Sequence, residues 1–362
     1  MTAAAHWLAL VTDAFGGRAG IAQYNRDILS AVAGSGFASS VTVLPRYAPD
    51  RAVVPGGIEQ QQPRAGRLGY SLAAFLTALS RPVGVVFCGH LYMAPLAAVI
   101  ARLKGAKLVI QTHGIEAWDR PTPAQRSALE SADLVLSVSR YTRARVLGGA
   151  ALAPERVLVL PNTIGDAFVP GDSALRSGWR LEGKVVLLTV GRLDSRERYK
   201  GHDRVIAVLP ELVAKGHDIA YVVVGEGDDS ARLQDLARQS GVSDRVRFAG
   251  PVDHETLMDA YRMADLFVMP STGEGFGIAF LEAMATGTPA LGLSVTGSVD
   301  ALCDGELGVA VTEGDLPAAI ARTLDNGKPD RDGLATAVRA RFGRQNFSTR
   351  VQLALDRLMS AA

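Results

Sequence analysis

The chain has 362 residues, 48% of them hydrophobic and 21% charged, which excludes a disordered or low-complexity protein. That length exceeds what one hydrophobic core usually fills, so two domains are expected. A net charge of +1 gives no reason to expect a nucleic-acid partner, and two distant cysteines, Cys88 and Cys303, exclude a disulfide framework and read as a reduced, cytoplasmic chain.

The charge is unevenly spread. Residues 1–165 carry 16 Lys+Arg against 9 Asp+Glu, and residues 166–362 carry 22 against 28. A basic front half and an acidic back half suit two lobes with different tasks, the first meeting an anionic partner or surface. Scattered solvated arginines explain the same count equally well.

In chain order, "MTAAAHWLALVTDAFGG" has no basic leader and reads as a first strand rather than a signal peptide. Strand-like runs "SVTVLPRY", "VGVVFCG", "KLVIQTHG", "LVLSVS" and "RVLVLPNT" follow, separated by helical stretches such as Gly20–Ala33 and Met93–Lys104. The uncharged segment Val83–Ala101 is broken by Gly89, His90 and Pro95, so it reads as strand, loop and helix, not as a membrane span. The basic-flanked segment Arg64–Arg81 reads first as a core helix, with a membrane-surface helix as the alternative.

"LPNTIGDAFVPGD", Leu160–Asp172, has no periodicity and is the expected hinge; the strand pattern then restarts. "KVVLLTVGR", "IAYVVVGEG", "RVRFAG", "LFVMPST" and "TPALGLS" read as strands, with helices His202–Lys215 and His254–Arg262 between them. Near-continuous apolar strands interleaved with helices imply parallel sheets covered on both faces. The expected architecture is α/β: two doubly wound Rossmann-like lobes, residues 1–165 and 166–345, with ligands in an interlobe cleft at the carboxyl ends of the strands. The last helix, about 346–362, is left free to join either lobe.

The groups that carry chemistry lie just past strand ends. Arg192 and Lys200 flank the loop "GRLDSRERYKG", where paired cations would neutralise a diphosphate leaving group. The plain alternative is a surface salt bridge to Asp194 or Glu197; for Arg196 and Arg198 that is the better reading, and for Arg192 the ligand reading leads. "STGEGFGIAFLEAMATGTPAL" sets Glu274 and Glu282 either side of a glycine elbow, Gly275-Phe276-Gly277, that opens into a helix from Ile278. Unpaired amides at such a helix start suit an anion, while carboxylates suit sugar hydroxyls. Gly16 and Gly17 make a second elbow after the first strand. His113 stands just past a strand end, and His90 is placed similarly but reads as structural. "GEG" at Gly225–Gly227 lacks the third glycine of a dinucleotide fingerprint and reads as an ordinary turn. Backbone around Val252 in "RFAGPVD" is placed to bond a nucleotide base, and a simple turn explains the segment equally well.

Together these segments resemble the retaining nucleotide-sugar glycosyltransferases of family 4, which have the GT-B fold. "EGFGIAFLEA" looks like their E-x7-E element and "VGRLDSRERYKG" like their Gly-Arg…Lys-Gly segment, with the Arg-to-Lys spacing stretched by "SRER". "FGGRAG", "THG", "SVSRYT", "LPNTIGDAF" and "RVRFAGPVDHETLMDAYRMADLFVMPS" fall in the family's order, so the resemblance spans nearly the whole chain. It implies that Arg192 and Lys200 hold the donor diphosphate, Glu274 the donor sugar and Glu282 the ribose. Amides around Phe276, Gly277 and Ile278 complete the cradle, Gly17 covers it, and His113 sits beside the reacting sugar. It further implies a retaining hexosyl transfer from a GDP- or UDP-sugar, without metal or other cofactor. The acceptor would be a lipid-linked or polysaccharide precursor, at the inner face of a membrane. The alternatives are a nucleotide-sugar epimerase or hydrolase of the same fold, and a catalytically silent sugar-nucleotide-binding module.

Overall fold

The computed structural model describes residues 4–17, 19–47, 53–327 and 330–360. Residues 361 and 362, where the sequence reading ends the last helix, lie outside them. The chain forms two compact units, Met1–Thr163 with Gln345–Ala362, and Ile164–Arg344.

The first unit holds strands β1 (Ala5–Val11), β2 (Ala38–Pro45), β3 (Ile58–Gln60), β4 (Val85–Cys88), β5 (Lys107–Thr112), β6 (Leu134–Ser137) and β7 (Val157–Val159). They pair in parallel in the order β3-β2-β1-β4-β5-β6-β7. Every residue of β4 and β6 is buried, because both faces of the sheet are covered. On one face Leu8, Leu10, Val86 and Ile110 meet Tyr70, Ala74 and Ala78 of helix Arg67–Ser80 and Ala97 and Ile100 of helix Ala94–Lys104. The last helix, Arg344–Ser360, belongs almost wholly to this unit, and its buried Phe347 packs edge-on against Tyr24 at 6.0 Å between ring centres.

The second unit holds β8 (Val185–Val190), β9 (Ile219–Val224), β10 (Val246–Gly250), β11 (Leu266–Met269), β12 (Ala290–Leu293) and β13 (Val309–Val311). All are parallel, in the order β10-β9-β8-β11-β12-β13. Its core joins Leu187, Tyr221, Val223 and Val268 of the sheet to Val205, Leu209 and Leu212 of helix His202–Ala214.

In each unit the strand order reverses once, at β1/β4 and at β8/β11, and such switch points are where doubly wound sheets open a crevice at their carboxyl ends. The Gly16–Gly17 elbow follows β1, Arg192 follows β8, and the Glu274 loop follows β11.

Two short edge strands, β3 and β13, were not foreseen from the sequence. The core reading of Arg64–Arg81 also holds for one face only: Tyr70, Ala74, Thr77 and Ala78 are buried, but Leu68, Leu72, Leu76 and Leu79 point to solvent.

Candidate active site

In the second unit, Gly191 and Arg192 follow β8, and a 3-10 turn, Ser195–Lys200, carries the chain to helix His202–Ala214. Asp194 caps that turn by accepting from the Arg196 amide at 2.9 Å. The turn returns Lys200 to the strand end, where its side chain lies along Gly191; a Cβ added there would meet Lys200 Cδ at 3.3 Å. Glu197 lies between the two expected diphosphate ligands: Arg192 Nη2 bonds its Oε1, and Lys200 Nζ is 3.7 Å from its Oε2. Arg192 is exposed, whereas Lys200 and Glu197 are mostly buried. Arg196 pairs with Asp194 at 2.6 Å and Arg198 with Asp229 at 2.9 Å, so both are ion pairs as expected.

Glycines let neighbouring loops interlock around this turn. A Cβ on Gly225 would sit 2.0 Å from the Gly191 carbonyl, and one on Gly227 2.1 Å from that of Leu193. Close backbone packing therefore accounts for the "GEG" segment without a dinucleotide.

The Glu274 loop is fastened to the same turn. Thr272 N–H donates to Tyr199 O at 2.8 Å, and Gly273 packs on the Tyr199 ring. From the other side, Thr296 Oγ1 accepts from Glu274 N–H at 3.3 Å and Gly297 N–H donates to Glu274 O at 2.8 Å. Burial pushes the Glu274 carboxyl above the usual glutamate range; the Lys200 ammonium pulls it down, and the Glu197 charge pushes it up again. A hydrogen-bonding carboxylate and a fixed cation thus share the switch point.

Gly277 opens helix Ile278–Ala285 with φ 94°, a left-handed turn that glycine alone adopts easily, and no side chain caps that helix start. Phe276 is buried and meets Phe342 edge-on, which fixes the elbow, and no side chain caps the first-turn amides. Glu282, one turn further, accepts a 2.7 Å hydrogen bond from the buried Tyr261 hydroxyl on Oε2, leaving Oε1 for a second donor. Burial raises its carboxyl to about 7 against the opposing effect of that hydrogen bond. Val252 is half-buried in the loop that follows β10.

In the first unit, Gly16 has φ 95° and Gly17 N–H closes a turn onto Ala14 O at 3.2 Å. Asp13 folds over the elbow so closely that a Cβ on Gly17 would fall 2.0 Å from its Oδ2. His113 follows β5; its Nε2 lies 2.9 Å from Gly89 O, which assigns the proton to Nε2 and leaves Nδ1 as an acceptor. Burial lowers the His113 pKa, with Glu116 opposing, so the ring is neutral near pH 7. Tyr24 packs edge-on to it at 5.2 Å, and the His90 ring lies 6.2 Å away.

Of the residues the sequence singled out, Arg192, Lys200, Glu274, Phe276, Gly277, Ile278, Glu282 and Val252 fall in the second unit, and Gly16, Gly17 and His113 in the first. Glu197, named from the sequence only as a salt-bridge partner of these cations, does pair with both; sequence reasoning missed Tyr261, Thr296 and Gly297, each of which holds a site residue through space rather than through a motif. The positive φ of Thr296, 58°, is the one local oddity among them.

Two doubly wound parallel-sheet units with charged, glycine-rich loops at their switch points are the architecture of the GT-B class. Residues 174–341 match the family model for glycosyl transferases group 1, and residues 19–163 that for the glycosyl transferase 4-like domain. The chain belongs to this family and is a family 4-like glycosyltransferase. It is 32% identical over 295 residues to a GDP-mannose-dependent α-(1-6)-phosphatidylinositol monomannoside mannosyltransferase of Mycolicibacterium smegmatis, an alignment covering 72% of this chain and 76% of that one. It is 36% identical over 232 residues to a D-inositol 3-phosphate glycosyltransferase of Acidothermus cellulolyticus, covering 58% and 50%. Among solved structures, a sucrose-phosphate synthase of Thermosynechococcus elongatus superposes with a TM-score of 0.78 at 21% identity, covering 99% and 100% of the two chains. Anabaena HepE in complex with UDP gives 0.77 at 17%, covering 97% and 99%. At those identities the structures speak for the fold, and the fold is GT-B. The family match and the curated glycosyltransferase relatives, not the fold, set aside a silent binding module.

Proposed function

We propose that this glycosyltransferase moves a hexose from a nucleoside diphosphate sugar to an acceptor hydroxyl with retention of anomeric configuration. The observation that carries the reading is that Lys200 and Glu274 stand on two loops joined by the Thr272–Tyr199 hydrogen bond at the β8/β11 switch point. Lys200, Arg192 and the open amides at Phe276–Ile278 take the diphosphate, in a reaction that needs no metal. Glu274 accepts from donor-sugar hydroxyls, Glu282 Oε1 from the ribose, and the backbone at Val252 meets the base. In the first unit taken by itself, the His113 Nδ1 acceptor suits a sugar hydroxyl and the Gly16–Gly17 elbow suits a phosphate. The bond from the anomeric carbon to phosphate breaks as the acceptor oxygen bonds on the same face, and the acceptor proton passes to the leaving phosphate.

The donor is a GDP- or UDP-sugar; the mannosyltransferase relative named above is GDP-mannose-dependent, which favours GDP-mannose. That relative acts on a phosphatidylinositol mannoside, which favours a lipid-linked acceptor over a free polysaccharide precursor, used in envelope or exopolysaccharide synthesis and met at an anionic membrane surface. Turnover of a panel of GDP- and UDP-hexoses, with Glu274→Ala as control, tests the assignment. The expected loss in kcat is about 10²–10³-fold, the usual cost of removing one preorganised polar group from a transfer site. Undiminished turnover in that variant rejects the role given to Glu274.

A further inference from the structure

Helix Arg67–Ser80 is held to its sheet by one face only. Tyr70 donates its hydroxyl to Leu44 O at 2.9 Å, and Ala74 and Ala78 complete the buried stripe. The opposite face carries Leu68, Leu72, Leu76 and Leu79, which are between 58% and 88% exposed. At about 100° per residue these four fall within about 80° of arc, a continuous apolar ridge. Helix Ala94–Lys104 packs beside it and adds exposed Val99 and Leu103. A cluster of this kind on a protein surface marks an interaction site.

Charge selects the partner. From Gln60 to Ile115 the chain contains no aspartate or glutamate and six Lys/Arg residues. Among the described residues, Arg64 and Arg67 at the start of the ridge, and Arg102 and Lys104 at the end of the neighbouring helix, have no carboxylate in ion-pair reach. Arg46 and Arg67 stack on the exposed Tyr92 ring, at 5.6 and 5.3 Å from its centre. Leucines flanked by unpaired arginines and a tyrosine whose polar tip stays wet are the pattern of a helix lying in a bilayer interface. No helix among the described residues is long and apolar enough to cross a membrane.

We infer that the leucine ridge of helix Arg67–Ser80, with Arg64 and Arg67 beside it, seats the first unit on an anionic lipid bilayer. The inference names the surface behind the membrane partner proposed above and rests on that reading for its purpose; its evidence is the exposed ridge and the charge around it.

Co-sedimentation of the full chain with vesicles of phosphatidylcholine, alone or mixed with phosphatidylglycerol, tests it at about 0.1 M salt. Binding is expected to the anionic vesicles, and to fall about tenfold or more when Leu68, Leu72, Leu76 and Leu79 are all replaced by serine. Arg64→Gln and Arg67→Gln should each weaken binding about fivefold and flatten its salt dependence. Nucleoside diphosphate affinity, followed by thermal shift, should stay unchanged in all these variants, which separates failure of this surface from failure of the donor site. Equal binding by the serine variant, or no binding by the natural chain, overturns the inference. So does concentration-dependent self-association that the serine substitutions abolish without any vesicle binding, because the ridge would then belong to a second copy.

Discussion

At the scale of single residues, Glu197 is the most consequential side chain after Glu274. Its carboxylate neutralises Arg192 and Lys200 together, so an incoming diphosphate must compete with it for both cations. Glu197→Gln removes that competitor while keeping the size of the side chain. The expected outcome in isothermal titration is a nucleoside diphosphate affinity about three- to tenfold tighter, the scale of a partly exposed ion pair. Weaker binding would show that Glu197 positions the cations instead of occupying them.

Glu282 makes a pH prediction. Burial lifts its carboxyl from the ordinary value of 4.5 to about 7, so the native chain keeps a proton that the unfolded chain releases. That contribution to stability is present in full below the unfolded value and is lost as pH rises through about 7. Glu282→Gln should therefore flatten the fall in stability between about pH 5 and 8, a difference of about 1–3 kcal/mol readable from denaturant midpoints. Both acids were legible in the sequence because they flank a glycine elbow before an apolar run. Tyr261, which holds Glu282, was not, since a pairing across 21 residues leaves no local periodic signal.

At the scale of elements, the elbow before helix Ile278–Ala285 depends on Gly277. A Cβ there would lie 2.5 Å from Phe280 Cδ2, at a φ of 94° that side chains disfavour. Gly277→Ala should cost about 1–3 kcal/mol of stability and turn the first-turn amides away from the phosphates, raising the donor KM. A loss of stability with donor KM unchanged would remove those amides from the site. The helix itself was readable to its ends, Ile278 and Ala285, because Gly277 opens it and Gly287 with Pro289 closes it. Strands β3 and β13 escaped notice because each is three residues long and partly exposed, too short for alternation to register. Helix Arg67–Ser80 was found, yet its composition concealed which face is buried. Alanines and a tyrosine fill the tight space on the sheet, and the leucines face out.

At the scale of the whole molecule, the alternation of apolar strands and helices was enough to expect two doubly wound units, and the restart of that pattern lay close to their meeting at Thr163 and Ile164. The side taken by the last helix was not readable, because its attachment is the contact of Phe347 with Tyr24, more than three hundred residues apart in sequence. The uneven charge of the two halves has a local origin in the acid-free stretch after Glu59, and Arg192 and Lys200, the cations proposed to hold the donor diphosphate, belong to the acidic half. Net charge by lobe therefore says little about where a nucleotide binds. Hydrogen exchange followed by mass spectrometry, with and without a GDP- or UDP-sugar, measures that directly. Protection should concentrate in residues 191–201 and 271–282 of the second unit. Protection that leaves both segments unchanged while appearing elsewhere would contradict the placement of the donor at Arg192, Lys200 and Glu274.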